Sequence, residues 1–250
     1  MSPYLNQPTQ QWQSITDSLI ASHPLTLQNI HDAVFKAWNN VWTTVIGGQS
    51  GYRLIDASPL PPAQVIGYLL EMLVAKEINL INNNFIWGQG SQKDIHCISN
   101  DNISIEMKTS GQLGYKIFGN RSYGQTGTTG KKDKSGFYIT VNYYDTTITL
   151  IRFGWIDSWD WTSQTASTGQ AATLSNDAYN HKLKIIRGPY MLKAPVQIVP
   201  GIGPSVIPEL HALGIITIED LFYKHSLLMT KKLINAYKKA YELYGNLLQP

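Results

Sequence analysis

The hydrophobic period of this chain changes twice, and no other feature limits its fold as strongly. Residues 10–22 and 25–46 read as helices; in the second, Ile30, Val34, Ala37, Trp38, Val41 and Val45 recur at helical spacing. Gly47-Gly48-Gln-Ser-Gly51 breaks it. A third helix is predicted over 63–81, opened by Ser58-Pro-Leu-Pro-Pro62, whose proline suits a first turn, and ended by Asn82-Asn-Asn84. The period then shortens to two. Residues 85–87, 94–98, 102–109, 136–144 and 147–153 read as strands, the last two as a hairpin turned at Asp145-Thr146. Residues 111–134 read as a long Gly-, Thr- and Lys-rich loop with room for one helix, and 155–182 as loops. From Lys193 the pattern is helical again. Helices, then four or five strands, then helices predict an α+β or α/β core with a small helical appendage.

The bulk properties narrow this further. A chain of 250 residues fits one large or two small domains, and 43% apolar against 15% charged residues supports a sizeable core rather than general disorder. Cys97 is the sole cysteine, which excludes a disulfide framework or a zinc–thiolate site and fits a reducing cytoplasm. The N-terminus lacks the basic and apolar regions of a signal peptide. The most apolar helix carries Glu71, Lys76 and Glu77, so no membrane span is expected. A net charge of +3 is mild, but residues 181–250 hold nine Lys/Arg against four Asp/Glu, so the basic surplus lies in the C-terminal third.

The chemistry-bearing residues sit in the strand region. Asp94 is followed, after eleven residues, by Glu106-Met107-Lys108. Across 102–108 the sequence alternates strictly: Ile103, Ile105 and Met107 face one way, Ser104, Glu106 and Lys108 the other, as in a half-buried strand. Two carboxylates supply oxygen ligands for Mg²⁺, which polarises a phosphate and lowers the pKa of its bound water. A nearby lysine can orient that water or offset charge growing on phosphorus. The same spacing also describes a solvated Glu/Lys face. Glu71 lies on an apolar helix face beside Gly67, Tyr68, Val74, Ala75 and Ile78, where a lone carboxylate is costly. It is either paired with a cation such as Arg53 or Lys76, or recruited to the metal site.

These residues resemble the PD-(D/E)XK nuclease superfamily. The words around them, Lys93-Asp94, Ile103-Ser-Ile-Glu-Met-Lys-Thr-Ser110, Ile117-Phe-Gly-Asn-Arg-Ser-Tyr-Gly-Gln125, Lys134-Ser-Gly-Phe-Tyr138, Leu150-Ile-Arg-Phe-Gly-Trp155 and Thr168-Gly-Gln170, are similar to the ScaI family of type II restriction endonucleases over about residues 25–190. Phe118-Gly-Asn-Arg-Ser-Tyr123 is the distinctive part. The resemblance implies an α/β/α-like core with a mixed central sheet flanked by helices. It implies Mg²⁺ held by Asp94, Glu106 and the Met107 carbonyl, Lys108 acting on the attacking water, and Glu71 matching a helix acid of the superfamily. Lys93 stands where the superfamily label has proline.

Duplex DNA is the expected partner. Asn120, Arg121, Ser122, Tyr123 and Gln125 follow the Glu-x-Lys strand, and Arg to guanine and Asn or Gln to adenine are the favoured bidentate pairs. Arg121 instead pairs with a phosphate or an internal acid in the plainer reading. Lys131, Lys132 and Lys134 suit phosphates or a solvated loop alike. Further on, residues 199–215 resemble a helix-hairpin-helix motif: Gly201 and Gly203 allow close backbone approach to a phosphate, the N–H groups at the start of the next helix point at it, and Ile202 plugs between helices; Ser205 is counted with this DNA-contacting turn, although Pro204 and Ser205 stand where many DNA-binding versions carry a basic residue nearby. Pro208 is expected to interrupt that helix's ladder, and the motif serves packing or dimer contact if it does not grip DNA. The last helix, 230–247, is expected to bury Leu233, Tyr237, Tyr241 and Tyr244 and to turn Lys231, Lys232, Lys238 and Lys239 outward. Trp155, Trp159 and Trp161 suit core packing better than base stacking. His31, His96 and His181 show no ligand spacing.

Taken together, the sequence predicts a catalytic domain over 1–190 and a helix-hairpin-helix DNA-binding domain over 191–250. The expected function is Mg²⁺-dependent, sequence-specific hydrolysis of duplex DNA at a palindromic site by a cytoplasmic homodimer, with no membrane and no small-molecule substrate. The rivals are a structure-specific repair nuclease acting on flaps or junctions, and a DNA-binding protein without catalysis.

Overall fold

A computed structural model describes residues 2–120, 123, 134–163 and 171–248. Helix α1 (Trp12–Ser22) and helix α2 (Leu27–Thr43) lead the chain; α2 starts at a capping box in which Thr26 and Asn29 satisfy each other's backbone N–H. A small ribbon of β1 (Val45–Ile46) and β2 (Tyr52–Arg53) follows, then helix α3 (Ala63–Ile81), which packs on α2. Strands β3 (Phe85–Trp87), β4 (Ile95–Cys97), β5 (Ile105–Ser110), β6 (Phe118–Asn120), β7 (Gly136–Tyr144), β8 (Thr147–Ile156), β9 (Trp161–Ser163), β10 (Ala171–Leu174) and β11 (Leu183–Ile185) come next. Helices α4 (Ile207–Ala212), α5 (Ile218–Tyr223) and α6 (Lys231–Tyr244) end the chain.

The strands form a six-stranded mixed sheet in the order β11-β8-β7-β5-β4-β3 and a three-stranded sheet in the order β6-β10-β9. Helix α3 lies against β3 and β5. The contact is close: a Cβ built on Gly67 would stand 2.5 Å from Thr109 Oγ1, so the missing side chain lets helix and strand approach. His23 is boxed in by Phe85, Phe137 and Phe153, and burial lowers its pKa, which keeps the ring neutral.

The described residues divide into two compact units. The first comprises residues 1–110, 116–141 and 151–186; the second comprises 111–115, 142–150 and 187–250. In the first unit, Lys182 is fully buried and its ammonium lies 2.9 Å from Asp157 Oδ2 and 2.8 Å from Asp160 Oδ2. The rings of Trp12 and Tyr4 close over it at 4.3 and 4.4 Å, with Trp159 at 5.6 Å. Tyr4 and Trp12 thereby tie the N-terminal segment to residues some 170 positions later, and Thr16 Oγ1 adds a 2.7 Å bond to the His181 carbonyl. In the second unit, Gly201 takes φ +91°, Ile202 is buried, and Gly214, at φ +69°, follows α4.

Several expectations are corrected. Residues 101–103 form a single 3-10 turn, so the strand starts at Ile105 and not at 102, and its Glu106 face is buried as well as its apolar face. Residues 155–182 contain two strands and lead into a third, and 111–134 contribute β6. Pro208 sits in the first turn of α4, where a helix needs no amide hydrogen, and interrupts nothing. In α6 the buried stripe is Leu233, Ala236, Ala240 and Tyr244; Tyr241 is exposed, while Lys231, Lys232, Lys238 and Lys239 face outward as predicted.

Candidate active site

Asp94 stands immediately before β4, where the antiparallel pairing of Ile95 with Ile105 holds it beside β5. Its Oδ2 accepts the Met107 amide hydrogen at 2.8 Å, so the carboxylate is fixed to the strand that carries Glu106 and Lys108. Glu106 and Lys108 leave β5 on the same side, two residues apart, as the alternation requires.

Three oxygens gather round one cation. Lys108 Nζ lies 2.6 Å from the Met107 carbonyl oxygen, 3.0 Å from Glu106 Oε1 and 3.8 Å from Asp94 Oδ2. Burial works to lower the Lys108 pKa, but the carboxylates of Glu106, Asp94 and Glu71 outweigh it, and the group is held above the ordinary lysine range. Glu71 is half-buried on α3, one turn past Gly67, and its charge acts on Lys108.

Glu106 is 5% exposed, and a second donor reaches it from an unexpected direction. Tyr123 Oη donates to Glu106 Oε1 at 2.5 Å. The Tyr123 ring is 4% exposed, meets Trp161 edge-on at 4.9 Å between centroids, and carries Lys134 Nζ 4.2 Å above its centre. Burial first, then the Glu106 charge, push its phenol pKa far up, so it remains a donor. Tyr138, fully buried on β7, lies in the same cluster and donates to the Lys134 carbonyl at 2.6 Å.

The structure thus brings Asp94, Glu106, Met107 and Lys108 together, with Tyr123 added; Glu71 lies on α3, and its charge is among those that raise the Lys108 pKa. Tyr123, grouped in the sequence with base-reading residues, turns inward onto Glu106, and Lys134 lies over its ring. Asn120 is exposed at the end of β6, opposite Ala171. Arg121, Ser122, Gln125, Lys131, Lys132 and the segment 168–170 lie outside the described residues. Gly203 is half-buried, and Ser205 is exposed with its carbonyl accepting from Lys232 at 2.7 Å. The part played by Tyr123 and Tyr138 escaped sequence reasoning; the one available signal is an aromatic residue inside the otherwise polar stretch after Asn120, which a loop has no reason to expose.

Mg²⁺ takes oxygen ligands and keeps several waters, so a few protein oxygens suffice. Among the described residues no three His, Cys, Asp or Glu side chains form a cage by themselves. Two carboxylates and one backbone carbonyl do converge, and the Lys108 ammonium among them shows that the donor set fits a cation.

Comparison with known proteins supplies the class and then the family. The family model described as ScaI restriction endonuclease matches residues 2–187. A curated relative, the type II restriction enzyme ScaI of Streptomyces caespitosus, is 34% identical over 197 residues, covering 74% of this chain and 84% of the relative. The class is that of type II site-specific deoxyribonucleases, hydrolases of phosphodiester bonds that engage double-stranded DNA. Within it, the chain belongs to the ScaI restriction endonuclease family. No described helix is long and apolar enough to cross a membrane.

Proposed function

We propose that this chain is a Mg²⁺-dependent endonuclease with a PD-(D/E)XK core, cutting both strands of duplex DNA at a palindromic site. The observation that carries the reading is that Asp94 Oδ2, Glu106 Oε1 and the Met107 carbonyl oxygen all lie within 3.8 Å of the Lys108 ammonium. When bound, Mg²⁺ supplies Lewis-acid polarisation of the scissile phosphate and a water of lowered pKa. Asp94, Glu106 and the Met107 carbonyl hold it. Lys108, as an ammonium, donates hydrogen bonds that orient the attacking water and offset charge developing on the phosphoryl oxygens. Glu71 adds negative charge from α3 that keeps Lys108 protonated and in place. Asn120, with Arg121, Ser122 and Gln125, reads base edges, while Lys131 and Lys132 contact phosphates.

Residues 191–250 act in this reading as a helix-hairpin-helix module. Gly201, Ile202, Gly203 and Ser205 form the turn that meets the DNA backbone without reading sequence, supported by the outward lysines of α6. A twofold homodimer matches a palindromic site. The solitary buried Cys97 suits the reducing cytoplasm in which such an enzyme works.

The test is digestion of a plasmid of known sequence with Mg²⁺, followed by sequencing of the ends. Discrete fragments sharing one palindrome are expected, and Glu106→Ala should lower the rate by at least about 10³-fold while retaining DNA binding. Cutting only at branched substrates would favour a repair nuclease; cleavage that survives Glu106→Ala would remove the assigned site.

A further inference from the structure

Lys93 directly precedes Asp94, and only 9% of it is exposed. A lysine is rarely buried, because an ammonium taken out of water needs hydrogen-bond partners. Its Nζ donates to the Ser135 carbonyl at 2.6 Å and lies 6.0 Å from the centre of the Trp155 ring. A glycine makes the room: a Cβ on Gly136, at φ +146°, would stand 1.6 Å from that nitrogen. The backbone of Lys93 is held as well. A Cβ on Gly88 would stand 1.9 Å from the Lys93 carbonyl oxygen, and the Gly88 amide donates to the Asp94 carbonyl at 3.0 Å. The residue ahead of Asp94 is thus fixed by Gly88 at its backbone and by the start of β7 at its side-chain end.

That far end is itself tied to the second carboxylate. Lys134, next to Ser135, accepts from Tyr138 Oη at its carbonyl and sets its ammonium over the Tyr123 ring, and Tyr123 donates to Glu106. We propose that Lys93 is a positioning residue for Mg²⁺ capture: by bracing the backbone at Asp94 against Ser135, it sets how Asp94 stands relative to Glu106. This inference rests on the endonuclease reading above. A lysine meant for a DNA phosphate would offer its ammonium to solvent, whereas this one ends on a backbone carbonyl. A residue present only to fill space would not need the ammonium at all. Charge alone predicts the opposite sign, since a cation beside Asp94 repels a metal and its removal would tighten binding.

The experiment titrates Mg²⁺ into the full chain by calorimetry, unaltered and as Lys93→Met, which keeps the bulk of the stem and cannot donate. Loss of a charge-assisted hydrogen bond that braces Asp94 predicts a Kd for Mg²⁺ about tenfold higher. The Mg²⁺ concentration that gives half the maximal single-turnover rate should rise by the same factor, while the rate at saturating Mg²⁺ falls less than about threefold. Gly136→Ala displaces the ammonium without deleting it and should shift both readouts in the same direction; it decides the matter if Lys93→Met fails to fold. Unchanged Mg²⁺ affinity, with or without a lower unfolding temperature, would overturn the proposal and leave Lys93 a structural residue. Tighter binding would overturn it in favour of charge repulsion, and failure of both variants to fold would assign the brace to the fold and not to the site. If the unaltered chain shows no Mg²⁺-dependent cutting at all, the endonuclease reading itself fails, and this is a different result from any of these.

Discussion

Lys108 and Lys182 are each held by two carboxylates, and the difference in burial decides what each does. Lys182 is wholly enclosed, with Asp157 and Asp160 as partners and aromatic rings on its remaining sides. It has no path to a substrate, and its work is structural. Lys182→Met leaves two buried carboxylates without a cation and should cost about 3–5 kcal/mol, read as a lower urea midpoint. Lys108 keeps 17% of its side chain accessible, next to Asp94 at 22%. The first group was legible in the sequence in part: residue types and strict alternation marked Glu106 and Lys108, and Asp94 was within reach. Lys182 and Tyr123 were not, because each is defined by partners far along the chain. The Lys182 rings come from residues 4, 12 and 159, and the Tyr123 hydroxyl is meaningful only once Glu106 lies beneath it.

At the scale of elements, helical periodicity transferred well to the structure. The helix over 63–81 falls on α3 and the hairpin turn falls at Asp145-Thr146, since each depends on neighbours within one or two turns of chain. Strands β9 and β10 were invisible for the opposite reason. They are three and four residues long, set in a Ser/Thr/Gln-rich stretch, and they exist through pairing with each other and with β6, whose Asn120 lies opposite Ala171. The seam between α3 and β5 carries a prediction of its own. Gly67→Val places a branched side chain where Thr109 stands and should destabilise the fold by about 1–3 kcal/mol. By shifting α3 it should also move Glu71 away from Lys108, so the cleavage rate of the folded variant should fall while DNA binding persists. Loss of stability with a normal rate would separate Glu71 from the site.

For the whole molecule, charge and family similarity divide along the sequence. The family match ends at residue 187, and the basic surplus lies beyond about residue 181. If α6 helps grip the DNA backbone, the double substitution Lys231→Gln, Lys238→Gln should weaken binding equally on all sequences and reduce the slope of log K against log salt by about 1–2. An unchanged slope would assign α6 to packing alone. The cage around Lys182 has a further consequence, and it concerns time. Trp12 and Tyr4 are synthesised well before their partners, since the cation they enclose and the carbonyl bound by Thr16 come 165 or more residues later. At roughly 5–20 residues per second, α1 waits on the order of ten to thirty seconds on the ribosome before its partners exist. Residues 4–12 therefore cannot take up their final packing until Lys182 has been made.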